Sequence, residues 1–139
     1  MRYPQVLVYE ADGKLAAFLR EAMREQRWSL REPRSLEGCL RLLRRAGPNG
    51  MILKLGKDLV REMTLLERVH RLFPETGIFA VGDAANTAIE SLAWELGAQF
   101  VLFPPLPRQE LIHAITGFLK PATRPVPEIV PVGDPGKEE

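Results

Sequence analysis

The stretch "GMILKLGKD", residues 50–58, is an apolar run that is interrupted near its end by a lysine and closed by a glycine. A short apolar run with glycine at its boundaries is typical of a strand buried within a sheet. Burying an unpaired ammonium is unfavourable, so Lys54 is expected either to find an acidic partner or to extend to water. The stretch therefore predicts a buried strand with a charged side chain near its carboxyl end.

Strand and helix patterns alternate on both sides of this segment. The other strand candidates are "QVLVY" (5–9), "WSLRE" (28–32), "GIFAV" (77–81) and "QFVLF" (99–103). Each strand is followed by apolar residues at helical spacing, most clearly in the fourth helix, with a stripe of Ala88, Ile89, Leu92, Ala93 and Leu96. Because strands that alternate with helices form parallel sheets covered on both faces, the sequence predicts a doubly wound (βα)5 α/β fold with a five-stranded parallel sheet.

The edge formed by the carboxyl ends of the strands is where a doubly wound sheet has its functional crevice. The residues expected at this edge are Glu10, Ala11, Asp12, Lys54, Gly56, Lys57, Gly82, Asp83, Phe103 and Pro104. Any site for chemistry or binding is therefore expected there.

The chain has 139 residues, of which 45% are hydrophobic and 27% charged, as expected for one soluble globular domain. We assign residues 1–120 to this domain and the proline-rich residues 121–139 to a tail or linker. No stretch has the length of a signal-peptide core or a membrane span, so we expect a cytoplasmic protein. The sequence has a single cysteine, Cys39, so an intrachain disulfide is excluded. Cys39 lies on an apolar helix stripe, as expected for an inert core thiol.

The formal net charge of +1 gives no general reason to expect nucleic acid or a membrane as partner. The charge is unevenly spread: residues 1–48 contain ten Lys/Arg and six Asp/Glu, whereas residues 49–139 contain nine and twelve. Most of the N-terminal excess is arginine on two predicted helices, which is more typical of a solvated helix face than of a phosphate-binding patch. The two histidines are isolated and no phosphate-binding glycine motif occurs, so the residues indicate no enzyme.

Three segments together resemble the receiver domain of two-component response regulators. They are "VLVYEAD" at the first strand, "ELGAQFVLFPP" around the fifth and "PRQELIHAI" opening the last helix, and the likeness spans roughly residues 5–120. The resemblance implies a flavodoxin-like fold and a phosphoaspartate switch. In such a switch, an acidic pair and a phosphoacceptor aspartate hold magnesium, while a Thr or Ser and a lysine end the fourth and fifth strands. Metal and lysine are needed there to neutralise the transferring phosphoryl group.

The sequence departs from this pattern at the switch positions. The two positions of the acidic pair correspond to Glu10 and Ala11, and Asp12 lies one position after the pair. The phosphoacceptor position corresponds to Lys54. The positions of the hydroxyl and of the lysine correspond to Gly82 and Phe103. We therefore expect a pseudo-receiver that cannot be phosphorylated and that uses no metal or other cofactor.

The remnant acidic pocket, formed by Glu10, Asp12 and Asp83, offers partners for Lys54. A salt bridge there would replace the metal with a built-in cation and hold the loops in one conformation. The alternative is that Lys54 extends to water at the crevice mouth without a specific partner.

A tryptophan on the fourth helix indicates an interaction surface. Trp94 falls almost opposite the apolar stripe, beside Thr87 and Glu90, and His113 lies on the outer face of the fifth helix. In receivers, the surface of helix four, strand five and helix five is a usual dimerisation or output face, so this resemblance favours a protein partner, with a homodimer as one form. The alternative is a tryptophan packed on a neighbouring loop or on the tail.

These observations predict a phosphorylation-independent protein-interaction module of bacterial two-component-type signalling. The alternative is a sensor of a small anionic ligand, bound in the crevice between Phe103, Lys54 and Glu10. Residual phosphotransfer through Asp12 or Asp58 is disfavoured because the metal ligands are depleted, and DNA binding because no helix-turn-helix is evident. The resemblance also implies a cis peptide bond between Phe103 and Pro104.

Overall fold

The computed structural model describes residues 4–10, 13–22, 24 and 28–119, and in them five strands alternate with five helices. The strands are β1 (Gln5–Tyr9), β2 (Ser29–Arg31), β3 (Gly50–Leu55), β4 (Gly77–Gly82) and β5 (Phe100–Leu102). The helices are α1 (Lys14–Ala22), α2 (Leu36–Ala46), α3 (Leu59–Leu72), α4 (Thr87–Glu95) and α5 (Gln109–Phe118). The predicted tail, residues 121–139, lies outside the described residues.

All strand pairs in the sheet are parallel, and the order is β2-β1-β3-β4-β5. The first six residues of "GMILKLGKD" form the central strand β3, which pairs with β1 on one side and β4 on the other. Lys54 lies opposite Val81 and Leu55 opposite Gly82 in this register. The predicted five-stranded parallel sheet of a doubly wound, flavodoxin-like fold is confirmed.

The helices form two layers, one on each face of the sheet. Helices α2, α3 and α4 share one core cluster with the sheet, and helices α1 and α5 share the other. Since α2 connects β2 to β3 and α4 connects β4 to β5, these two helices lie at opposite ends of their layer, with α3 between them.

Local sequence signals account for several helix ends. The side chains of Ser35, Asp58 and Asn86 accept hydrogen bonds from backbone N–H groups at the starts of α2, α3 and α4. Gly47 ends α2 at a φ of 58°, a left-handed conformation that glycine adopts without steric cost. In the described part of the chain, no helix is both long and apolar enough to cross a membrane.

Two local predictions are wrong. Within the predicted stripe of α4, Ala93 is buried, but Ala88 and Leu92 are exposed. Helix α4 lies at the end of its layer and packs on β5 through the small side chain of Ala93, so only a narrow face of the helix is covered. The cis peptide bond lies between Pro104 and Pro105, one residue later than expected.

Candidate functional site

Lys54 and Asp83 form an ion pair at the carboxyl ends of β3 and β4. The Lys54 Nζ lies 3.1 Å from Asp83 Oδ2, and the Lys54 side chain is 11% exposed while that of Asp83 is 62% exposed. The other oxygen of the same carboxylate, Oδ1, accepts a hydrogen bond from Arg108 Nη2 at 3.4 Å. Asp83 thus links the end of β3 to the start of α5.

Glu10 serves the backbone of α1. Its Oε1 accepts a hydrogen bond from the Leu15 N–H at 2.9 Å, and its Oε2 accepts one from the Ala16 N–H at 2.8 Å. A carboxylate in this position satisfies two of the unpaired N–H groups at the helix start and opposes the positive end of the helix dipole. The residues predicted beside it, Ala11 and Asp12, lie outside the described residues.

Glu62 is a buried carboxylate that the sequence analysis did not identify. Its side chain on α3 accepts hydrogen bonds from the N–H groups of Gly56 at 2.8 Å and Asp58 at 3.0 Å, and the residue is only 4% exposed. It thereby fixes the loop that follows Lys54. The available signal is an acidic residue in the first turn of a helix four positions after the capping aspartate, a spacing that also suits an ordinary surface glutamate.

The two substituted positions of the fourth and fifth strands are in contact. The buried ring of Phe103 lies against Gly82, so that a Cβ atom added at Gly82 would overlap the ring. The side chain of Phe103 therefore occupies the space into which a residue larger than glycine at position 82 would project.

An open crevice of about 560 Å³ lies at this edge of the sheet. Its lining residues are Lys54, Leu55, Gly56, Lys57, Leu59, Asp83, Ala84, Ala85, Asn86, Ile89 and Phe103. Two lysines and one aspartate give it a mixed polar character over an apolar floor. Glu10, which was predicted to flank it, is not among the lining residues.

The thiol and phenol near this edge are shifted toward their neutral forms. Burial raises the pKa of the Cys39 thiol to about 12. Burial also raises the pKa of the Tyr9 hydroxyl, and the nearby Cys39 and Glu62 act in the same direction because a second negative charge would be repelled.

The described residues do not fit a magnesium site of the kind that the resemblance implies. Such a site needs several free carboxylate oxygens at the strand ends. Both oxygens of Glu10 are engaged by backbone N–H groups, and an ammonium, that of Lys54, stands at the end of β3. Within the described ranges, no three His, Cys, Asp or Glu residues form a group that could hold a metal ion.

The predicted interaction residues lie on the outer surface of α4 and α5. Trp94 is 50% exposed and Leu92 is 41% exposed. Thr87 and His113 are also exposed, whereas Glu90 is half-buried. Trp94 therefore lies beside polar side chains on the outer face of α4, whereas Leu92, two positions earlier, lies on a different side of the helix.

No protein-family model and no curated protein match the sequence. Several solved structures, however, are similar to the structure of this chain. The signal receiver domain of an HD domain-containing protein from Pseudomonas fluorescens Pf-5 is similar with a TM-score of 0.74 and 22% identity, over 86% of this chain and 96% of that one.

Two further structures are similar at lower identity. A CheY-like response regulator receiver domain protein from Methanospirillum hungatei JF-1 has a TM-score of 0.73 and 15% identity, over 85% of this chain and 94% of that one. A response regulator from Thermotoga maritima has a TM-score of 0.71 and 16% identity, over 86% of this chain and 100% of that one. The chain thus has the fold of response-regulator receiver domains.

Proposed function

We propose that this chain is an atypical receiver domain of bacterial two-component-type signalling that acts without phosphorylation, as a protein-interaction module and not as an enzyme. The observation that carries the proposal is the ammonium of Lys54 at the end of β3, where a receiver would have its phosphoacceptor aspartate. This ammonium is paired with Asp83, so the strand ends hold a cation of the protein's own.

The contact between Phe103 and Gly82 supports the same proposal. In a receiver these positions would carry a lysine and a hydroxyl that respond to the phosphoryl group. Here an aromatic ring covers a glycine, and neither residue has a polar side-chain atom with which to contact a phosphoryl group.

The proposed interaction surface is the outer face of α4 together with α5, and a second copy of the chain is one candidate partner. Exposed tryptophan is a frequent anchor in protein interfaces because it buries a large area with few rotatable bonds. Trp94 provides such an anchor beside the polar residues Thr87 and Glu90.

A ¹H–¹⁵N NMR titration with Mg²⁺, and then with Mg²⁺ plus beryllofluoride as a phosphoryl mimic, tests the loss of the switch. We expect no saturable shift of the amide resonances of Lys54, Gly56 and Asp83, because backbone N–H groups engage both oxygens of Glu10 and an ammonium stands at the acceptor position. A receiver with an intact aspartate, titrated in the same buffer, is the positive control. Saturable shifts at these residues that extend into α4 would contradict the proposal.

A second candidate function is the sensing of a small anionic ligand, and the open crevice favours it. Lys54 and Lys57 both line this space beside Asn86, so a carboxylate or phosphate group could pair with an ammonium there. A titration with short dicarboxylates and phosphorylated metabolites, followed by the same amide resonances, tests this function. Binding that is lost in Lys57→Met but retained in Arg68→Met, a substitution of an exposed cation on α3, would support it, and no binding by any of these ligands would remove it.

A further inference from the structure

Charge is divided between the two ends of one helical layer. Helices α2, α3 and α4 pack on the same face of the sheet, with α2 at the β2 end and α4 at the β5 end. Residues 31–46, which include α2, contain five arginines and two glutamates, whereas α4 contains two glutamates and no lysine or arginine. The two ends of the layer are therefore complementary.

The positive end is an arginine face on β2, the loop that follows and α2. Its exposed members are Arg31, Arg34, Arg41, Arg44 and Arg45. On α2, Arg41 and Arg45 project opposite the buried Cys39, because positions two and six residues away fall on the far side of a helix. Among the described residues, none of the five arginines has an acidic side chain within ion-pair distance; Glu32 pairs with Arg20 instead.

The negative end is the outer face of α4. From residue 72 to residue 107 the sequence contains no lysine or arginine, and its acidic residues are Glu75, Asp83, Glu90 and Glu95. Glu90 lies one helical turn before Trp94 and therefore on the same side of α4, whereas Glu95 follows Trp94 directly and lies about 100° further around the helix. Neither glutamate forms an ion pair with another residue in the described part of the chain.

We propose that the arginine face of one copy docks on the α4 face of a second copy, head to tail. Guanidinium groups can pair with Glu90 and Glu95 and lie over the ring of Trp94, an arrangement that arginine favours over lysine. The aliphatic stems of Arg41 and Arg45 would cover the remaining indole surface. The proposal rests on the proposed use of α4 as an interaction surface and adds the occupant and the surface that binds it.

The charges also argue against pairing α4 with α4. A two-fold symmetric contact through this helix would bring Glu90 and Glu95 close to the same residues of the other copy, and like charges across an interface are unfavourable. The arginine face brings opposite charge to each glutamate. Because the two surfaces lie at opposite ends of the molecule, a docked pair of copies would retain one unused surface of each kind, and association would extend as an open chain and not stop at a dimer.

Sedimentation velocity over a wide range of protein concentration, at low and high salt, tests the proposal. We expect the wild-type sedimentation coefficient to rise with concentration at low salt and to fall back at high salt, because the contacts are electrostatic and exposed. Arg41→Glu/Arg45→Glu and Glu90→Lys/Glu95→Lys should each lower the association constant by about tenfold or more. Far-UV circular dichroism and thermal melting show that each variant is folded.

A mixture of the two charge-reversed variants is the decisive sample. In the mixture, the α2 of one variant, now negative, meets the α4 of the other, now positive. The native α4 of the first variant and the native arginine face of the second also have opposite charges. We therefore expect equal amounts of the two to associate, although neither does alone. Arg24→Glu/Arg68→Glu is the control for net charge. It changes the net charge as Arg41→Glu/Arg45→Glu does, but at exposed positions outside both surfaces, and should leave association unchanged.

Three results would overturn the proposal. The first is a wild-type protein that stays monomeric at low salt at every concentration. The second is association that is lost in Trp94→Ala but unchanged in Arg41→Glu/Arg45→Glu, which would mean that α4 contacts a different surface of the second copy. The third is a monomeric protein whose arginine face binds a DNA or RNA duplex, and loses that binding in Arg41→Glu/Arg45→Glu. The NMR titration with beryllofluoride is independent of all three, so failure of the proposed function is recognised separately.

Discussion

The ring of Phe103 lies directly on Gly82; Gly82 is the last residue of β4, and Phe103 follows directly after the neighbouring strand β5. By the resemblance to receivers, these positions would carry the lysine and the hydroxyl of the switch. Their substitutions here form one steric unit, because the ring fills the space that a side chain at position 82 would need. A residue larger than glycine at position 82 is therefore expected to be unfavourable while Phe103 is present.

Gly82→Ser should lower the free energy of unfolding by about 1–3 kcal/mol, because the added side chain must displace a buried ring. Phe103→Ala should lower it by about 3–5 kcal/mol through the cavity that it leaves. In the double variant the serine can enter the vacated space, so we expect a smaller loss than the sum of the two. Urea unfolding of the four proteins measures this coupling.

Gly117→Ser is the matched control, since a Cβ atom at that glycine of α5 would meet nothing within 4 Å. It should change stability by no more than about 0.5 kcal/mol. Additive losses in the double variant, or a Gly82→Ser protein as stable as the control, would show that Phe103 does not restrict position 82.

The pair of Lys54 and Asp83 should contribute a coupling free energy of about 0.5–1 kcal/mol, because its lysine is mostly buried but its aspartate remains in contact with water. A double-mutant cycle with Lys54→Met and Asp83→Asn measures it, and Met retains most of the volume of the lysine stem. We expect the coupling to decrease as salt is added.

The exposed pair of Arg61 and Asp58, with an N–O distance of 3.6 Å, provides the comparison. Its cycle, with Arg61→Met and Asp58→Asn, should give a smaller coupling, since both side chains are exposed. If the two cycles give equal values, the lysine at the end of β3 does not hold the strand ends together.

The alternation of strands and helices could be predicted from the sequence because it depends on local periodicity. The bounds of β1 and β3, Gln5–Tyr9 and Gly50–Leu55, coincide with the apolar runs that predicted them. Turn and capping residues such as Ser35 and Gly47 act within a few positions of themselves, so their signals are also visible in the sequence.

The contacts of the site could not be predicted in the same way. The choice of Asp83 as a partner of Lys54 depends on the register of β3 against β4. The contact of the Phe103 ring with Gly82 depends on the pairing of β4 with β5. The exposure of Leu92 follows from the position of α4 at the end of its layer, which periodicity alone does not contain. Such features are set by tertiary packing, which overrides local pattern.

Glu62 should be important for stability because its buried carboxylate holds the loop that follows β3. Glu62→Gln should lower the free energy of unfolding by about 1–3 kcal/mol, because one of its two acceptor oxygens becomes an amide that cannot accept from the loop N–H groups. Urea unfolding measures the loss. Hydrogen exchange should also speed up at the amides of Gly56 and Asp58, since both donate to this carboxylate.

Glu95→Gln, at an exposed position of α4, is the control for the loss of a carboxylate and should change stability by no more than about 0.5 kcal/mol. Equal effects of the two substitutions, with exchange at Gly56 unchanged, would mean that Glu62 does not fix the loop after β3.

The buried thiol of Cys39 should make stability fall at alkaline pH. Its pKa is about 12 in the folded protein, against an ordinary value of 9.0, so above pH 9.0 the unfolded chain releases a proton that the folded chain retains. The unfolded state then binds fewer protons, and the free energy of unfolding decreases by up to about 1.4 kcal/mol per pH unit until the folded thiol also ionises. Below pH 9.0 this contribution is complete and constant.

In Cys39→Ala this contribution is absent, so the stability difference between wild type and variant should shrink as pH rises from 9.0 toward 12. Parallel pH profiles of the two proteins in urea unfolding would contradict this account of the thiol.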